Sequence, residues 1–121
     1  MDRKEDMRKR TKEYASAVIG LYCTLPRNHV VAQVLGKQLL RSGTSVAANY
    51  REASRARTDA DFISKIEICA QEADESDLWL ELLKDDCDIR SEGLTRLRTE
   101  TNELISICVT MARNVKRRLG K

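Results

Sequence analysis

Aromatic side chains are scarce in this chain: Phe, Trp and Tyr make up 4% of its 121 residues. A sheet protein draws on aromatic and β-branched side chains to cover its faces, so the composition leads away from that class. There is one Pro and there are five Gly. No glycine-rich phosphate loop can be assembled from them. His29 is the only histidine. Every Ser or Cys nucleophile would have to share it as base, and no acid/base pair has independent support, so the chain reads as non-enzymatic. The four cysteines, Cys23, Cys69, Cys87 and Cys108, form no CxxC pair. A zinc or redox centre is therefore not indicated, and Cys69, Cys87 and Cys108 read as small core hydrophobes in a reducing cytosol. No apolar run approaches the roughly 20 residues that span a bilayer. The opening MDRKEDMRKRTK leads into no cleavable apolar segment, so a cytoplasmic protein without a membrane partner is expected.

What is present is charge and helix-forming residues. Charged side chains reach 34%, and Leu, Ala, Arg, Glu and Lys dominate. The length suits one domain over residues 1–121. The net charge of +3 conceals a segregation: residues 1–57 carry +7, residues 58–103 carry −9 and residues 104–121 carry +5. Such blocks pair an acidic helix with basic neighbours or build surfaces of opposite sign between subunits. An exposed basic band would also attract nucleic-acid phosphates.

Periodicity predicts four helices. The first runs from about Asp2 to Thr24 and ends at Pro26, with Met7, Tyr14, Val18, Leu21, Tyr22 and Leu25 as its apolar face. The second begins near Asn28, a favourable N-cap, and runs to about Arg55. Its Ser-Gly-Thr-Ser run at 42–45 threatens a break, but the heptad register passes through unshifted. A small residue at 43 lets a neighbouring helix come close. Thr58 opens the third helix, with Asp61 three residues on as a relative of the capping box. There Phe62, Ile66, Cys69, Ala73, Ser76, Leu80, Leu83 and Cys87 repeat at 4-3-4-3-4-3-4, the cleanest seam in the chain. Ser91 caps the fourth helix, whose seam is Leu94, Leu97, Thr101, Leu104, Cys108, Met111 and Val115, with Gly120 as terminator. Short connections make neighbours antiparallel. The expected fold is all-α, an antiparallel up-down-up-down four-helix bundle.

The second helix also carries a polar stripe. Gln38, Ser42, Ser45, Asn49 and Glu52 step by four, three, four and three, as an apolar seam would. The third helix has a matching stripe that includes Lys65, Glu72 and Glu75. A network of Gln38, Ser42, Ser45 and Asn49 with Glu72 and Glu75, neutralised by Arg41 or Lys65, is chemically possible. It would act as a register-setting polar seam or as a ligand or nucleic-acid groove beside Asn49 and Glu72, or the stripe is simply solvated in one half. A di-metal centre needs Glu-x-x-His pairs, and Glu72 with Glu75 supplies only Glu-x-x-Glu. No metal or cofactor is expected.

Two runs carry a family resemblance. QLLRSGTSVAANYREA (38–53) and DFISKIEICAQEADESDLWLELL (61–83) resemble the four helix bundle protein family, also called 23S rRNA intervening-sequence proteins. On this resemblance the signature positions are Gln38, Arg41, Ser42, Ser45, Asn49, Glu52, Glu72 and Glu75, read as structural before chemical. The resemblance implies an antiparallel bundle that assembles as a homopentamer. It further implies a context in ribosomal RNA intervening sequences, or in diversity-generating retroelements as an accessory protein that binds nucleic acid and a reverse transcriptase. No enzymatic activity is implied.

The expected function is thus a non-enzymatic, pentameric assembly that binds RNA, DNA or a ribonucleoprotein partner. Its contacts would come from Arg3, Lys4, Arg8, Lys9, Arg10, Lys12, Arg51, Arg55, Arg57, Arg113, Lys116, Arg117 and Arg118. Each of these taken alone is equally an ordinary solvated surface charge. The basic segments lack Phe and Tyr, so backbone and shape recognition would dominate over base stacking. The alternative is an oligomeric protein-interaction scaffold whose opposite charges are consumed between subunits.

Overall fold

Four amphipathic segments separated by short connections bury their apolar stripes against one another. In the computed structural model, which describes residues 3–120 and all their side chains except that of Arg3, the helices are α1 (Arg3–Thr24), α2 (Val30–Ser54), α3 (Asp59–Cys87) and α4 (Glu92–Arg118). Asp2 and Lys121, at the expected ends of the first and last helices, lie outside the described residues. Each helix packs on its neighbours in the chain, and α4 closes back on α1.

Cross-helix pairs give the directions. Gly43 meets Val18 and Gly36 meets Tyr22 and Leu25, so α2 runs against α1. Ser42 meets Ser76 and Glu52 meets Lys65, so α3 runs against α2. Asp59 meets Arg118, Cys69 meets Cys108 and Asp77 meets Arg98, which sets α4 against α3. The bundle is therefore antiparallel throughout.

The core follows the seams. All eight expected seam residues of α3 are buried. In α4 the seam holds from Leu94 to Cys108, then moves to Ala112, and Met111 and Val115 are only half-buried against the core. The α-helical period of 3.6 drifts from a strict heptad over the length of α4. In α1, Thr11 joins the buried face, satisfied by the Met7 carbonyl at 2.8 Å. Tyr14 and Thr101 join hydroxyls at 2.7 Å across α1 and α4.

The caps explain where the helices begin. Thr58 Oγ1 accepts from Asp61 N–H at 3.0 Å and Ser91 Oγ accepts from Leu94 N–H at 3.1 Å. The start of α2 differs from expectation. His29, not Asn28, is the N-cap, its backbone extended and its Nδ1 accepting from Ala32 N–H at 3.1 Å. The turn after Pro26, closed by the His29 N–H on the Pro26 carbonyl, delays the helix by one residue. At the other end of the chain, Gly120 takes a φ of 75° as α4 stops.

α2 is continuous through residues 42–45, as the unshifted register predicts. A Cβ at Gly43 would lie 2.8 Å from Val18 Cγ2, and one at Gly36 would lie 2.6 Å from Leu25 Cδ1. Two glycines seven residues apart thus let α1 lie directly against the α2 backbone.

Candidate nucleic-acid interface

An antiparallel bundle puts the starts of α1 and α3 at the same end as the finishes of α2 and α4. Those are the segments in which the basic residues are concentrated. The topology therefore gathers Lys4, Arg51, Arg55, Arg57, Arg113, Lys116, Arg117 and Arg118 toward one end of the molecule. Direct contacts confirm the convergence. Lys4 Nζ lies 5.7 Å from the centre of the Phe62 ring, close enough for a cation–π contact. Lys4, Arg57, Thr58, Asp59, Phe62, Val115 and Arg118 line a surface depression of about 400 Å³.

The charges are not equally available. Arg10 is held by Glu100 at 2.6 Å and Glu103 at 2.9 Å, and the hydrogen bond to Glu100 raises its pKa further above the ordinary guanidinium range. Lys116 pairs with Glu67 at 2.8 Å, Arg118 with Asp59 at 3.0 Å and, more loosely, Arg8 with Glu5 at 3.6 Å. Among the described residues no carboxylate lies within ion-pair distance of Lys4, Lys9, Lys12, Arg51, Arg55, Arg57, Arg113 or Arg117. Lys9 and Lys12 point outward along α1, away from the end itself. The Arg3 side chain lies outside the described residues.

The acidic α3 does not cancel this end uniformly. Glu72 and Glu75 are held by Arg41 of α2, and Asp77 and Glu81 by Arg98 of α4. Asp85, Asp86 and Asp88 sit at the opposite end of the bundle, beside the start of α4. Asp59, Asp61 and Glu67 remain near the basic end, two of them already in the pairs above.

The polar stripe of α2 requires a correction. The buried face of that helix is Ala32, Gly36, Leu39, Ser42, Gly43, Val46, Tyr50 and Ala53. Most of the polar stripe precedes this seam by one residue, which turns it about 100° out of the core and onto the α2–α3 edge. Only Ser42 is fully buried, its Oγ 2.7 Å from Ser76 Oγ, which itself donates to the Glu72 carbonyl. Asn49 bonds within its own helix, to the Ser45 carbonyl and Oγ, and Glu52 pairs with Lys65 at 3.2 Å. Gln38 is exposed. The expected network of Gln38, Ser45 and Asn49 with Glu72 and Glu75 does not form, because Arg41 takes both carboxylates. The hydrogen bond from Arg41 to Glu75 raises the arginine pKa. The depression at this edge is lined by Ala47, Ala48, Arg51, Glu52, Arg55, Asp61 and Lys65, and includes neither Asn49 nor Glu72. Among the described residues, no three His, Cys, Asp or Glu side chains gather as a metal cluster.

Two surfaces were not foreseen from the sequence. Val30, Val31 and Val34 of α2 and Leu78 of α3 are exposed, and continuing the Ser42–Ser76 register sets Gln38 beside Trp79. Trp79 is half-buried, and its indole N–H is shielded from solvent with no acceptor among the described residues. On the other side of the bundle a groove of about 530 Å³ opens between α1 and α4, floored by Tyr14, Ala17, Leu21 and Leu97 and rimmed by Glu13, Arg96 and Glu100. Exposed valines at the start of α2 are visible in the sequence once the core face is known. The groove arises only from the way α1 and α4 diverge.

Comparison with known proteins agrees with this architecture. The profile of the 23S rRNA-intervening sequence protein family matches residues 3–110. The chain is similar to the crystal structure of a protein with unknown function from the S23 ribosomal protein family of Bacteroides thetaiotaomicron, at 34% sequence identity and a TM-score of 0.82. That similarity covers 91% of this chain and 97% of the other. A comparison with curated proteins finds no match.

Proposed function

Because the chain belongs to the 23S rRNA-intervening sequence protein family, we propose that it is a non-enzymatic protein that assembles with copies of itself and binds nucleic acid through the basic end of its bundle. The observation that carries this reading is the convergence of Lys4, Arg55, Arg57 and Arg117 at one end without carboxylate partners. Cations held close together with no internal counter-charge attract phosphates and release counterions on binding. Backbone recognition suits the site, since Phe62 and Tyr50 at this end are buried, Phe62 with Lys4 over its ring.

Self-assembly as a pentamer is part of the same proposal. The exposed valines at the start of α2, which share the α2–α3 side with Gln38, lie on a different side of the bundle from the α1–α4 groove. Patches on different sides mate head to tail, and such contacts form a ring when the rotation from copy to copy closes. A neighbouring copy would cover the exposed apolar side chains of this side. A ring would also multiply the basic end around one axis. Many charges are already consumed inside one chain, by the pairs of Arg10, Arg41 and Arg98. That disfavours the scaffold reading, in which opposite charges meet between subunits.

The test is binding of labelled structured RNA and duplex DNA over a salt series, with mass measured by light scattering in the same buffers. The expected result is a pentamer whose affinity falls steeply with salt. A pentamer with no binding at low salt would leave the interaction scaffold as the better account.

A further inference from the structure

Cys69 of α3 and Cys108 of α4 face each other with their sulfurs 3.6 Å apart. Both are free, and both are almost completely buried. Neither takes part in the nucleic-acid reading above. In the neutral pair Cys108 donates to Cys69, whose own thiol donates to the Val46 carbonyl at 3.4 Å. The two sulfurs thus touch, on adjacent antiparallel helices, with no atom between them.

One of the two borders the surface. Cys108 lines a surface groove of about 510 Å³ together with Glu67, Gln71, Arg113 and Lys116. The hydrogen bond shared with its partner lowers the Cys108 thiol below its ordinary value, while the same bond and burial push the Cys69 thiol up. The residue that borders the groove is therefore also the one whose thiol is lowered; Arg113 stands beside it without a carboxylate partner among the described residues, while Lys116 is held by Glu67.

We propose that Cys69 and Cys108 are a modification site: a dithiol that hydrogen peroxide oxidises to a disulfide joining α3 to α4. The Cys108 thiolate attacks one peroxide oxygen and breaks the O–O bond. One oxygen stays on sulfur as sulfenic acid, and the other leaves as hydroxide, which takes up a proton to become water. The Cys69 sulfur then attacks the Cys108 sulfur, forming the S–S bond. Hydroxide departs from Cys108 and takes the Cys69 proton as a second water. Two thiols lose two electrons and two protons, and one peroxide is reduced to two waters. The bridge would tie α3 to the stretch of α4 that leads into Arg113, Arg117 and the basic end, and would cross-link residues 39 apart in sequence.

The experiment uses the full chain with Cys23→Ser, which removes the exposed thiol and its intermolecular disulfides. The protein is treated with hydrogen peroxide, alkylated and analysed by intact mass and peptide mapping. Expected are loss of two of the three remaining thiols, a mass about 2 Da lower before alkylation, and linked Cys69 and Cys108 peptides. The thermal midpoint should rise on oxidation and fall back on treatment with dithiothreitol. Adding Cys87→Ser should leave the linkage intact. Three alkylatable thiols after treatment, oxidation confined to Cys87, or linkage formed only in denaturant would each overturn the proposal. None of these readouts replaces either cysteine of the pair or depends on nucleic-acid binding.

Discussion

At the residue scale, two glycines in helix interiors should respond in opposite directions. Gly20 of α1 has nothing within 4 Å of where a Cβ would stand, whereas at Gly43 that atom would meet Val18 at 2.8 Å. Val18 is β-branched and fully buried, so it has no room to give. Gly20→Ala should stabilise by up to about 1 kcal/mol through helix propensity. In Gly43→Ala, overpacking of about 1–3 kcal/mol should outweigh the same gain and lower the urea midpoint. A stabilised Gly43→Ala would show that α1 does not lie on the α2 backbone. Tyr14 supplies a pH-dependent counterpart. Burial pushes its phenol above the ordinary value of 10.0, against the pull of hydrogen bonds to Thr101 and Ser76. The folded state thus holds the Tyr14 proton more tightly than the unfolded chain does. That contribution is complete below about pH 10 and is lost as pH rises through the folded-state value. Tyr14→Phe should cost about 1 kcal/mol at neutral pH by losing the bond to Thr101. Its deficit should shrink above about pH 10, as followed by chemical denaturation at each pH. A deficit that does not change with pH would contradict the burial of the phenol.

At the scale of the element, the helix starts separate what local chemistry specifies from what the connection decides. Thr58 and Ser91 have the residue type and spacing of N-caps, and the structure uses both. Asn28 has the right type as well, yet His29 takes the role because the turn after Pro26 closes onto it. His29→Ala should then lower stability by about 1 kcal/mol, while His29→Ser should recover most of it, since a hydroxyl oxygen can accept the Ala32 N–H. An Asn28→Ala effect larger than that of His29→Ala, measured by thermal unfolding, would return the cap to Asn28. The α3 seam was legible because its apolar residues keep a strict period over the whole helix. The α2 stripe has an equally good period, yet the period left open whether its face is buried, and most of it lies on the α2–α3 edge. A heptad step states that residues share a face but not which way the face points, and the small residues Ala32, Gly36 and Gly43 conceal the true core stripe.

At the scale of the molecule, the antiparallel topology separates basic residues that share a segment into different roles. Arg10 and Arg57 are both basic candidates in the sequence, but Arg10 is held by Glu100 and Glu103. Arg57→Gln and Arg117→Gln should each reduce the slope of log affinity against log salt by about one per bound site. Arg10→Gln should leave the slope unchanged and cost at most about 1 kcal/mol of stability, as partly exposed ion pairs do. Equal effects from all three would mean that the end of the bundle is not the contact surface. For assembly, Val34→Glu places a charge on the exposed apolar patch, at a side chain 55% exposed. It should lower the mass seen by light scattering while the helical signal and thermal midpoint of the chain persist. An unchanged mass would exclude that patch as a subunit contact.

The sequence alone determined the number of helices, nearly all of their limits, the core of α3 and the absence of a span long enough for a membrane. These properties depend on period, cap chemistry and run length, all of which are local. Tertiary structure decided which charges are free, which face of α2 is buried, and that Cys69 and Cys108 touch. It also produced the groove between α1 and α4. These depend on the rotation of each helix about its own axis and on its distance from its neighbours. Both are set by packing between residues far apart in the chain, with Gly36 and Gly43 drawing α1 close, and no local pattern records them.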